Sequence, residues 1–193
     1  MKLLRTLALL PLAAATSQAA TIEFQFGKSN PVGSNYDSGI PYNDGTLTGI
    51  TVAGNVSRNV ELGLNVNYKH LETNGVDPFS RANVGALNAS LDLTYDVNPR
   101  GGITPFFGIG LGYAWLSNRD YTDDGVNPVT PVTTSKGVFT ASAFVGLRFA
   151  ISTKLDFTLT ARDTHYINLK NFDGTAENNI QNWEAIAGLR YRF

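Results

Sequence analysis

The carboxyl-terminal residues Trp183, Ala185, Ala187, Leu189, Tyr191 and Phe193 are apolar at every second position, with Asn182, Glu184, Gly188, Arg190 and Arg192 filling most places between. A period of two sends alternate side chains to opposite faces of a strand. One face of this segment is therefore oily and the other charged. The pattern returns in seven further segments, and a soluble sandwich could also alternate in this way. Joined to an export-type leader, the repetition points to a transmembrane β-barrel.

That leader is Met1 to Ala20. Lys2 and Arg5 precede an apolar run from Leu7 to Ala15, and small residues follow at Ser17 and Ala19, the three-part layout of a secretory signal peptide. The run is shorter than the ~20 residues a spanning helix needs, and Pro11 interrupts it. Residues 1–20 are therefore expected to be cleaved, leaving a single domain over residues 21–193. Removing Lys2 and Arg5 from the 15 basic residues leaves 13 against 16 acidic, a balance of −3. Nucleic-acid binding needs clustered positive charge, so no nucleic-acid partner is expected. With no cysteine there is no disulfide framework, thiolate metal site or acylated lipoprotein cysteine.

Alternation delimits eight strands, near Thr21 to Lys28, Thr46 to Val56, Val60 to His70, Ala82 to Val97, Ile103 to Leu116, Gly137 to Ala150, Lys154 to Ile167 and Ile180 to Phe193. The third is the cleanest, with Val60, Leu62, Leu64, Val66 and Tyr68 opposite Glu61, Gly63, Asn65, Asn67 and Lys69. The second is the weakest, because its apolar phase slips between Leu47 and Ile50. Connections alternate long and short, as in outer-membrane barrels with short periplasmic turns and longer outer loops. The expected fold is all-β: a transmembrane eight-stranded antiparallel up-and-down barrel with four long outer loops, three short periplasmic turns and both mature termini in the periplasm.

Lipid-facing aromatics should gather at the two membrane interfaces. Tyr68, Tyr95, Phe107, Tyr113, Trp115, Phe139, Phe149, Phe157, Trp183 and Tyr191 fall near predicted strand ends with outward parity. Charges within strands nearly all take the opposite, lumenal parity, and Asp163 is the exception that should lie at the outer interface or follow a bulge. An eight-stranded barrel has an interior just wide enough to be filled by side chains. Its lumenal charges are Glu23, Glu61, Asp92, Asp156 and Glu184 against Lys69, Arg148, Arg162, Arg190 and Arg192. Balanced signs predict a paired network. Arg148, Arg190 and Arg192 are expected to face Glu23, Glu61, Asp92 and Asp156 as a plug in the periplasmic half.

Two segments carry a family resemblance. Pro105 to Trp115, PFFGIGLGYAW, resembles the glycine-alternating strand of the small eight-stranded outer-membrane barrels of Gram-negative bacteria, the OmpA, OmpX and OmpW types. Gly188 to Phe193, GLRYRF, is similar to the terminal signal read by the barrel-assembly machinery, with Gly188, Tyr191 and Phe193 matching it and Ile186 standing where a polar residue is more usual. The resemblance implies outer-membrane lipid and lipopolysaccharide around the barrel and the assembly machinery as a partner in biogenesis. With the chain closing on its last strand, the peptidoglycan-binding domain of some relatives is not expected.

Other motifs carry less. Gly108, Gly110 and Gly112 lie within a strand, whereas a dinucleotide fingerprint needs a strand-to-helix turn, and they are expected to make room for Phe106, Phe144 and Arg148. His70 and His165 fall on opposite sides of the barrel with outward parity and no serine at hydrolase-like spacing. The loops carry Tyr36, Tyr42, Phe79, Tyr121 and Phe172 and an acidic bias from Asp120, Asp123, Asp124 and Asp173, without the acidic spacing of an EF-hand. No cofactor, metal or catalytic residue is assigned. The leading expectation is a non-enzymatic barrel with a plugged lumen, contributing to envelope integrity and to adhesion through an extracellular ligand at its loops. A narrow porin-like channel is the alternative, and an enzyme modifying lipid A is the third reading.

Overall fold

In a hydrocarbon medium every backbone N–H and C=O must find a partner within the protein, which leaves only helices and closed barrels as spanning structures. The computed structural model describes residues 20–32, 45–74, 80–99, 101–122, 132–170 and 177–193. Eight strands run β1 Ala20–Val32, β2 Gly45–Asn55, β3 Val60–Asn74, β4 Ser80–Asp96, β5 Ile103–Thr122, β6 Val132–Ala150, β7 Leu155–Lys170 and β8 Glu177–Arg192. Each pairs antiparallel with its sequence neighbours, and β1 pairs with β8 to close the barrel. Phe193 N–H donates to Ala20 C=O at 3.0 Å and completes the seam. The signal segment 1–19 lies outside the described residues, as do loop residues Tyr36, Tyr42, Phe79, Asp123, Asp124, Phe172 and Asp173.

The short connections are tight turns at one end. Val56 and Ser57 N–H both donate to Val60 C=O, and Ile151 and Ser152 N–H both donate to Leu155 C=O. Ser152 Oγ also accepts from the N–H groups of Lys154 and Leu155, at 3.2 and 3.1 Å, a hydroxyl turn built by local side-chain bonding. At this end the strand boundaries lie within a residue or two of those expected from alternation. At the other end every strand except β2 runs beyond its expected limit by two to six residues, most on β5 and β6. There the ladder leaves the apolar band, so backbone pairing continues without the apolar parity that marks it in sequence.

The slipped phase of β2 is not a bulge. Its register is continuous with both β1 and β3. Leu47 points inward, 1% exposed, while Ile50 points outward. An apolar residue has been placed in the lumen, and alternation counted on hydrophobicity reads that as a slip. The register shift in the β7–β8 ladder falls between Tyr166 and Leu169, beyond Asp163, so Asp163 keeps the outward parity of Leu159 and Ala161.

Glycines supply room where the interior is crowded. A Cβ on Gly108 would overlap the Phe144 ring and the Leu93 carbonyl oxygen, one on Gly146 would meet Phe106, and one on Gly110 would meet Asp92. On the outer face, Tyr68 lies over Gly85 and Tyr113 over Gly137, an aromatic cover for glycines of the neighbouring strand. We expect Gly108→Ala to destabilise the barrel by about 1–3 kcal/mol, as overpacking does. Gly102→Ala, at a position with nothing within 4 Å, should stay within about 0.5 kcal/mol; urea unfolding of the refolded protein compares the two.

Candidate functional site

The lumen is the most elaborate part of the molecule, and its side chains arrive by parity. Toward the turn end, Arg148 on β6 reaches Asp96 on β4 at 2.6 Å and Glu61 on β3 at 3.9 Å. Arg190 on β8 pairs with the second oxygen of the same Glu61. Arg192 bonds Asp156 across the β7–β8 seam at 2.7 Å. At mid-height Arg162 pairs with Asp92, and Ser90 Oγ donates to the other oxygen of Asp92 at 2.8 Å. The guanidinium of Arg148 stacks over Phe106 at 5.0 Å and that of Arg162 over Phe144 at 4.6 Å. These are the rings for which Gly146 and Gly108 make room.

Toward the loop end an ion pair gives way to neutral and then apolar side chains. Lys69, fully buried, pairs with Glu184 and lies 3.3 Å from the Tyr166 hydroxyl. Thr164 Oγ1 also donates to Glu184, and Asn182 donates to Tyr166. Above them Ala86, Ala114, Leu116, Val138 and Tyr166 form an inward-facing apolar cluster.

Four positions differ from the expected arrangement. Asp96 joins the network although it was not among the expected charges; it shares the parity of Asp92. Glu23 forms no ion pair with an arginine among the described residues but accepts from Thr158 Oγ1 at 2.8 Å and from Gln25 at 3.3 Å. Asp92 turns to Arg162 in place of the lower arginines. Ile186, the residue out of pattern in the terminal motif, is buried in the lumen at 4% exposure. The void enclosed by Glu23, Glu61, Asp92, Arg148 and Arg162 measures about 30 Å³, room for one or two waters.

On the outer face, Tyr95 and Phe107 (5.4 Å), Phe149 and Phe157 (6.3 Å), and Tyr191 and Phe193 (5.2 Å) pair near the turn end. Tyr113 packs on Trp115 and Phe139 near the loop end, at 5.0 and 5.3 Å, while Tyr68 and Trp183 are exposed on their own strands. Two outward charges lie near the upper aromatics. Asp163 accepts from Gln181 at 2.9 Å and lies 3.1 Å from His165 Nε2. Lys28, unremarked in the sequence pattern, shares the outer face with Phe24 and Phe26. His165 has Ala141 beside it on β6 and Gln181 on β8, so the register sets no hydroxyl nucleophile next to the Asp163–His165 pair. His70 stands on β3 between Thr46 and Gly85, remote from it.

A closed antiparallel barrel, apolar and aromatic outside and filled with paired charges inside, defines the class of small transmembrane β-barrels. The family model for the outer membrane protein beta-barrel domain matches residues 6–193. The chain belongs to that family, and with it to the outer membrane. No curated protein matches the sequence. Among solved structures it is similar to Neisserial surface protein A, NspA (15% identity, 91% of this chain and 99% of that one, TM-score 0.60). It is likewise similar to OprG of Pseudomonas aeruginosa (13%, 91% and 96%, TM-score 0.63) and to Ail, the attachment invasion locus protein of Yersinia pestis (10%, 91% and 98%, TM-score 0.56). At these identities the likeness is one of fold.

Breaking one member of a buried ion pair strands its partner and typically removes about 3–5 kcal/mol, whereas replacing both with apolar residues is often neutral. Lys69→Met should therefore destabilise the barrel by about that amount. Lys69→Met combined with Glu184→Leu should recover most of the loss; unfolding curves and heat-dependent gel mobility report both.

Proposed function

We propose that this barrel acts as a structural element of the envelope and as a surface-interaction protein, with a lumen that does not conduct. The observation that carries the reading is the interlocked Arg148–Asp96, Arg148–Glu61–Arg190 and Arg162–Asp92 set around a void of about 30 Å³. A solute passing this level would have to separate several buried charge pairs at once. Function is then left to the rim, where loops carried by a rigid scaffold are the usual site of recognition. Ail, which shares the fold, is an attachment invasion locus protein solved with the heparin analogue sucrose octasulfate, and this supports adhesion as the kind of task such a rim performs. Lipopolysaccharide and phospholipid surround the wall, and the assembly machinery reads Gly188, Tyr191 and Phe193 during biogenesis. The leader is removed on export, and both mature termini face the periplasm.

Residues 117–122 and 132–136 are paired strand, so a loop deletion that spares the scaffold is confined to residues 123–131. Cells displaying that deletion should keep normal barrel levels and heat-dependent mobility but bind an abiotic or host surface less; unchanged attachment overturns the interaction role. In planar bilayers the folded protein should be silent. Steady unitary steps whose ion preference changes with Arg148→Glu would instead make the charge network the lining of a narrow channel.

A further inference from the structure

The lipid-facing wall is uneven. On β2 to β5 the outward mid-membrane positions carry Ile50, Val66, Leu91, Ile109 and Leu111 with a single alanine, Ala89, whereas Ala143, Ala161, Ala185 and Ala187 occupy the same band on β6 to β8. The result is a groove of about 610 Å³ in the outer surface, walled by Phe26, Val145, Leu147 and Leu159 over a floor of alanines. Lys28 lines its loop-end margin. It pairs in register with Ala185, which in turn pairs with Ala161; one pleat nearer the loops, Trp183 stands between Asn30 and Asp163. The groove therefore runs from the hydrocarbon band up to a polar rim beside an interfacial tryptophan.

We infer that this groove is a docking site for one acylated lipid carrying a phosphate headgroup, drawn from the leaflet on the long-loop side. The floor of alanines lets a chain lie against the strand backbones, where dispersion contacts accumulate. The ammonium of Lys28 supplies the charge complement. It is exposed on the outer face and forms no ion pair among the described residues. It shares the outer face and the groove with Phe26, and the head of a lysine so placed snorkels toward the headgroup layer. The carboxylate at the rim, Asp163, has Oδ2 held by Gln181 and His165 and Oδ1 buried without a partner, so among the described residues Lys28 is the exposed ammonium at this margin that can face an anion.

Native mass spectrometry of the refolded full chain, exchanged into detergent with equal dimyristoyl phosphatidic acid and dimyristoyl phosphatidylcholine, tests the assignment. One phosphatidic acid should be retained in preference to phosphatidylcholine. Lys28→Gln should reduce that preference about fivefold, the effect of one lysine near a membrane surface. Ala185→Leu with Ala187→Leu, which fills the groove from its lipid side and leaves lumen packing untouched, should abolish retention of either lipid. Ala185→Leu alone should weaken it if the double variant folds poorly. Equal retention of both lipids, or retention indifferent to filling the groove, overturns the proposal. So does a wild-type particle of two barrels that the filled variant converts to one, since the face would then be covered by a second copy.

Discussion

The rest of the structure depends on the closure of the backbone ladder between β1 and β8. A sheet edge left open in hydrocarbon exposes a row of unpaired amides with no water to receive them. The seam runs from Thr21 opposite Arg192 to Val32 opposite Gln181. Because it closes eight strands, it also fixes how much space remains inside. That width is about what side chains fill, and the lumenal residues are too polar to pack as an oily core.

Within that width the ion pairs are interdependent. Glu61 serves Arg148 with one oxygen and Arg190 with the other, so strands β3, β6 and β8 are tied through one carboxylate. The aromatic rings beneath Arg148 and Arg162 hold each guanidinium plane, and the glycines on neighbouring strands exist to admit those rings. Charge, stacking and backbone choice are thus one arrangement spread over several strands, none of which carries it alone.

Much of this was legible in the sequence because the two environments of a barrel impose period two. Val60 to Lys69 states the inside and outside of β3 residue by residue. Legibility fails where environment and hydrophobicity part company. Leu47 and Ile186 are apolar residues used inside, so parity judged by oiliness misplaces the first and finds the second anomalous. Lys28 is a charge used outside, at a height where snorkelling makes it tolerable. Pairing within the lumen was less legible still: parity places Glu23, Asp92 and Asp96 inside, but only the tilt and stagger of the strands decide which arginine each can reach. The loop-end extensions of β5 and β6 left no signal, since above the membrane both faces of a strand are wet.

Those extensions leave the barrel cut on a slant. β5 and β6 have 20 and 19 residues against 13 and 11 in β1 and β2, and nine residues are about 30 Å of strand. Among the described residues, the paired wall at the loop end therefore extends furthest along β5 and β6 and least along β1 and β2. Among the described residues, a body arriving perpendicular to the membrane meets the paired ladder of β5 and β6 before that of β1 and β2. The scaffold itself thus gives the surface a front and a back.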